Sequence, residues 1–165
     1  MFFIGAGFVL ILLAAAASDL IHYRIPNVLV LALGSLFIVS ASLHFADAAW
    51  LDHIAAAALC LAAGFALYQF GQLGAGDVKL LSAVALWTGM GGLVALLLFT
   101  SLSGLLVLAM ILFARFLVSR AKRTNLWQAQ WSTPRVLTKK QGVPYGVAIA
   151  LGGILTMAMH PASFG

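Results

Sequence analysis

From Val78 to Phe116 the chain runs for 39 residues in which Lys79 and Arg115 are the only charged groups. One helix needs only about 20 apolar residues to cross the hydrocarbon core of a bilayer. The run is therefore expected to form two helices joined by a tight turn. Gly89-Met90-Gly91-Gly92 is the preferred turn, although it leaves the first of the two helices short, and Thr100 to Gly104 is the competing site. The rest of the chain is of the same kind: 64% of residues are apolar and 8% are charged, with a mean hydropathy of +1.10. Soluble domains carry roughly 25% charged residues. A water-soluble globule of 165 residues leaves too much of its area exposed to hide such a composition. Disorder is excluded for the same reason. The expectation is an all-α integral membrane protein.

Cutting at polar clusters and turn signals gives six transmembrane spans, approximately 2–18, 28–45, 54–70, 78–90, 92–115 and 143–160, in a single domain covering 1–165. Pro26 separates the first two, because it restricts Ile25 to extended backbone. Six spans put segments 19–27, 71–78 and 115–141 on one side, and 46–53 and the 89–92 turn on the other. All nine Lys and Arg residues fall on or beside the first set. By the positive-inside tendency that side is cytoplasmic, and both termini face outward. Ala15-Ala16-Ala17 resembles a signal-peptide cleavage site, but no positive n-region precedes it and the charge pattern needs this segment as a span.

The pI near 9.9 is read as topology and contact with anionic lipid rather than as nucleic-acid binding. A lone cysteine, Cys60, and four scattered histidines give no metal-ligand spacing, so neither a metal nor another cofactor is expected. The four acids are all Asp. Asp47 and Asp52 fall in the outer link, as solubilising charges or, for Asp52, a cap on the third helix. Asp19 and Asp77 fall at helix ends on the cytoplasmic side, 58 residues apart. Asp77 could simply cap the fourth helix. Asp19 ends the first helix, where the helix dipole disfavours an anion, and so asks for another reason. Gly74-Ala75-Gly76-Asp77 allows close backbone approaches, one use of which is an extended peptide lying against the loop. Two carboxylates brought together can share a proton, one activating water and the other polarising a carbonyl. That is peptide hydrolysis without a covalent intermediate, and no competing nucleophile motif is present.

At these residues the chain resembles the prepilin peptidases, the GxGD aspartyl proteases of bacterial membranes. SDLIHYRIPN (18–27), GAGDVKLLSAVALWTG (74–89) and VPYGVAIALGG (143–153) carry the resemblance. It implies Asp19 and Asp77 as the catalytic pair. Gly74, Gly76 and Lys79 complete the second motif, and Pro144, Tyr145 and Gly146 open the last helix. It also implies a prepilin or pseudopilin substrate, cleaved at the cytoplasmic face of the bacterial inner membrane. Larger members carry an insertion with paired CxxC motifs and methylate the new N-terminus. This chain departs from that pattern and is similar to the short, peptidase-only branch serving tight-adherence (Flp-type) pili, so methyltransferase activity is not inferred.

Arg24 reads as a topology anchor, with pairing to Asp19 or holding of substrate backbone as alternatives. Lys79 either acts on Asp77 by its charge or snorkels to the interface. Pro26 and Asn27 break the chain and start the second helix, and they could help shape the site. Loop 115–141, with Trp127 and Trp131 amid basic residues, is expected to lie on anionic lipid or to dock pilus-assembly machinery. Trp50 and Trp87 are expected in the outer aromatic belt. Two other readings use the same aspartates. A presenilin or signal-peptide-peptidase type of protease lacks support in the absent Tyr-Asp motif. A proton-coupled transporter would want its charges nearer the bilayer midplane.

Overall fold

A computed structural model of the chain describes residues 2–44, 49–123 and 144–159. These residues form helices α1 (Phe2–His22), α2 (Asn27–His44), α3 (Ala49–Gln69), α4 (Ala75–Arg123) and α5 (Tyr145–Met159), and there is no strand among them. Three stretches are long and apolar enough to cross a membrane: Phe3–His22, Trp50–Gln69 and Ala75–Arg120. Asn27–Leu43 and Tyr145–Met159 are shorter apolar helices. The large apolar side chains turned outward, such as Leu31, Ile38, Leu98, Leu105, Met110 and Phe113, would be untenable in water. The chain is an all-α membrane protein.

Helix α4 is two helices that meet without a connecting loop, broken in backbone at Gly89 (φ 61°, ψ −176°), a conformation that glycine adopts without steric cost. The packing of α5 shows what the break does. A Cβ on Gly153 would meet Val84 Cγ1 at 2.9 Å, and one on Gly152 would meet the Thr100 backbone N at 2.7 Å. In a straight helix Val84 and Thr100 would stand about 24 Å apart. Both lie against neighbouring residues of α5, so the two halves of α4 fold back on each other at Gly89. The turn is thus the preferred one of the sequence, and not Thr100–Gly104, where the helix continues.

Helix α5 sits between those halves and runs antiparallel to α1. Gly5 approaches Met157, Gly153 approaches Leu12 and Phe8, and Gly146 approaches Asp19. The core between them holds Phe8, Leu12, Leu33, Leu80, Val84 and Leu96. Trp87 belongs to this core and not to an interfacial belt. It is 2% exposed, its ring lies 5.0 Å from Phe8 and 5.8 Å from Phe37, and its Nε1 donates to the Leu33 carbonyl at 3.1 Å. An indole buried with its N–H satisfied is a packing group. Trp50, by contrast, is 44% exposed.

Several boundaries move outward from the sequence reading. α1 reaches past Asp19 to His22, because no breaker precedes the Pro26 turn. α3 begins at Ala49, so Asp52 and His53 stand in its first turns rather than in a link. α4 runs on to Arg123, so Arg115 and Arg120 are helical rather than part of a polar loop, and Arg120 lies over the Phe116 ring at 5.2 Å. Asp47, Trp127, Trp131, His160 and the rest of the basic segment 124–141 lie outside the described residues.

Candidate active site

Four helix ends converge at one end of the bundle: the end of α1 and the starts of α2, α4 and α5. Asp19, in the last turn of α1, is 6% exposed. Its Oδ2 accepts the Gly146 N–H at 2.8 Å, and the Val147 N–H bonds to the same carboxylate. The first amides of a helix have no intrahelical partner and carry the positive end of its dipole. The start of α5 therefore supplies what the end of α1 denies to an anion, which answers why an aspartate stands there.

Asp77 occupies the third position of α4. Its carboxylate turns back to the Gly74 N–H, as in the reciprocal half of a capping box, while the Val78 N–H bonds to the Gly74 carbonyl at 3.1 Å. Taken alone, that is a helix cap. What goes beyond a cap is the neighbour: the Asp19 and Asp77 carboxylates lie within electrostatic reach of each other, although 58 residues separate them in the chain.

The glycines of the motifs make these approaches possible. A Cβ on Gly146 would meet Asp19 Oδ2 at 2.8 Å, and one on Gly74 would meet Asp77 Oδ2 at 2.7 Å. A Cβ on Gly76 would press on Ile25, 3.3 Å from its Cβ. None of the three has positive φ among the described residues. Their small size thus serves contacts inside the protein, whereas the sequence reading had offered room for a peptide.

The two halves of the site are tied together directly. Lys79 Nζ donates to Asn27 Oδ1 at 3.2 Å, which links the GxGD helix to the start of α2. Pro26 accepts the Leu29 N–H at 3.1 Å and so opens α2, and Ser18 Oγ donates to the Arg24 carbonyl at 2.8 Å. The Arg24 side chain points outward, as does Lys79. Pro144 is fully buried beneath the start of α5, and Tyr145 beside it is 40% exposed. Every residue singled out in the three segments is therefore at or next to this end of the bundle.

One residue of the first segment escaped the sequence reading. Tyr23 follows α1 with φ 53°, and its hydroxyl is buried without a hydrogen-bond partner among the described residues. The available signal was an aromatic residue one place beyond a helix end, where glycine is usual.

A family model described as the type IV leader peptidase family matches residues 6–119, a segment that includes both Asp19 and Asp77. Searches of curated proteins and of solved structures give no match. The match spans well over half of the chain and contains both carboxylates, and the bundle around them is a membrane protein's. The chain belongs to the type IV leader peptidase family and is a membrane peptidase.

Proposed function

We propose that this chain is an aspartyl endopeptidase that removes the leader from Flp-type prepilins or pseudopilins at the cytoplasmic face of the bacterial inner membrane. The observation that carries the reading is the pair Asp19 and Asp77: two carboxylates in electrostatic contact, each held by amides at the start of a helix. Two carboxylates withdrawn from water and set within reach of each other ionise together only at a cost, and in this reading the pair shares one proton. The ionised member takes a proton from water, whose oxygen attacks the scissile carbonyl carbon. The protonated member donates to the carbonyl oxygen. The pair then returns a proton to the amide nitrogen as the C–N bond breaks. Both roles belong to the dyad as a unit.

Gly74, Gly76 and Gly146 let the carboxylates settle, Lys79 and Asn27 brace the two motifs, and Pro26, Pro144 and Tyr145 frame the site. Arg24, Lys79, Arg115 and Arg120 cluster towards this end of the bundle, which supports a cytoplasmic site with six crossings and both termini outside. Segment 115–141 would hold the protein to anionic lipid or to pilus-assembly machinery.

The test is co-expression with an Flp-type prepilin. Asp19→Asn and Asp77→Asn should each leave the prepilin uncut while the protein stays in the membrane. Processing at the normal rate by either variant ends the dyad reading. Cleavage of a prepilin peptide by purified protein in detergent would exclude a transporter.

A further inference from the structure

Tyr23 combines three features that packing alone does not explain. Its backbone is in the left-handed region at φ 53°, uncommon for a bulky residue. The position closes α1, with the Tyr23 N–H bonded to the Asp19 carbonyl at 2.9 Å, and glycine would close it without strain. Its hydroxyl is nevertheless buried and has no partner among the described residues. Strain and an unmet hydroxyl both cost stability, and such features gather where a site is held ready for a ligand.

The surroundings identify that ligand's chemistry. The phenol lies within electrostatic reach of both the Arg115 guanidinium and the Asp19 carboxylate. Burial raises its pKa above the usual 10.0; Arg115 opposes this and Asp19 adds to it. The group therefore stays a neutral O–H donor at working pH. A buried donor within electrostatic reach of one carboxylate of the dyad, with no acceptor among the described residues, matches an oxygen that arrives with the substrate.

We infer that the Tyr23 hydroxyl donates a hydrogen bond to the scissile carbonyl oxygen as that oxygen gains negative charge, making Tyr23 a third catalytic residue beside the aspartates. The inference rests on the peptidase reading above. The protonated aspartate supplies one donor to this oxygen and Tyr23 supplies a second. No bond to Tyr23 forms or breaks. Fixed donors aimed at developing charge cost no reorganisation during the reaction, and removing one slows turnover more than it weakens binding.

Tyr23→Phe tests this, because it deletes the oxygen and keeps the ring. Cleavage of a prepilin peptide in detergent is measured for the parent protein, Tyr23→Phe and Asp77→Asn together. Tyr23→Phe should lower kcat roughly 100-fold and leave KM within about a factor of two. A peptide with a tetrahedral secondary alcohol in place of the scissile amide should lose affinity by a comparable factor. The melting midpoint should be unchanged or higher, since no hydrogen bond to the described residues is lost. A parental kcat, unchanged affinity for the alcohol peptide, or a lowered melting midpoint would each overturn the inference. Activity in Asp77→Asn would instead overturn the dyad, leaving the tyrosine to be judged by the kcat of Tyr23→Phe.

Discussion

The two ends of this helical bundle use aspartate in the same way and for different ends. At one end Asp19 accepts the Gly146 N–H of α5, and at the other Asp52 Oδ2 accepts the Met90 N–H at 2.9 Å, where the second half of α4 begins. Next to Asp52, His53 is 7% exposed, with Nδ1 2.8 Å from the Leu86 carbonyl and its ring 5.4 Å from Phe37. Together they close the Gly89 turn: a Cβ on Gly89 would meet Asp52 Oδ2 at 2.7 Å. A carboxylate at a helix start is therefore not in itself a sign of chemistry. The difference is company. Asp52 caps a helix beside His53, whereas Asp19 shares its surroundings with a second carboxylate and a phenol that has no hydrogen-bond partner among the described residues.

That contrast can be broken or sharpened by substitution. The largest effect belongs to Asp19→Asn and Asp77→Asn, expected to lower prepilin cleavage on the order of 10³-fold or more, read by gel shift of the processed pilin. Asparagine still accepts the helix amides, so membrane accumulation should persist. Gly146→Ala comes next. Its new methyl meets the Asp19 carboxylate, and a small displacement of a reacting group should lower kcat by roughly 10- to 100-fold.

Gly152→Ala should act on the fold alone. The methyl would press on the Thr100 backbone, which cannot rotate away, for about 1–3 kcal/mol in detergent unfolding and an unchanged kcat per folded molecule. Asp52→Ala removes a helix cap and should cost about 1 kcal/mol, again without loss of cleavage. Loss of cleavage there would erase the distinction between the two ends. Lys79→Gln should matter least. The bond to Asn27 is exposed, so about 0.5–1 kcal/mol and a few-fold in rate are expected.

Much of this protein was legible beforehand. The apolar runs and their polar breaks located the helices, though the start of α3 and the end of α4 lie five and eight residues outside the expected spans, and the Gly89 turn was the preferred one. The local motifs singled out Asp19 and Asp77, which the fold brings within electrostatic reach of each other. Trp87 was misread as interfacial because hydropathy places an aromatic only along the chain, and not around a helix. Its true setting depends on Phe8, Phe37 and Leu33, which come from two other helices. Asp52 was read as a loop charge or a cap on its own helix. Its partner, Met90, lies 38 residues away on α4.

The sequence by itself determined that the chain is a helical membrane protein with two acids beside glycine and proline breaks. These follow from hydropathy and from local backbone sterics, which act over a few residues. Only the tertiary structure decided that the start of α5 would neutralise an anion at the end of α1. It also brought Asp77 within reach of Asp19 and left the Tyr23 hydroxyl without a partner among the described residues, within electrostatic reach of Asp19 and Arg115. Electrostatic and hydrogen-bond energies depend on distances between helices, and those distances exist only once the helices have packed.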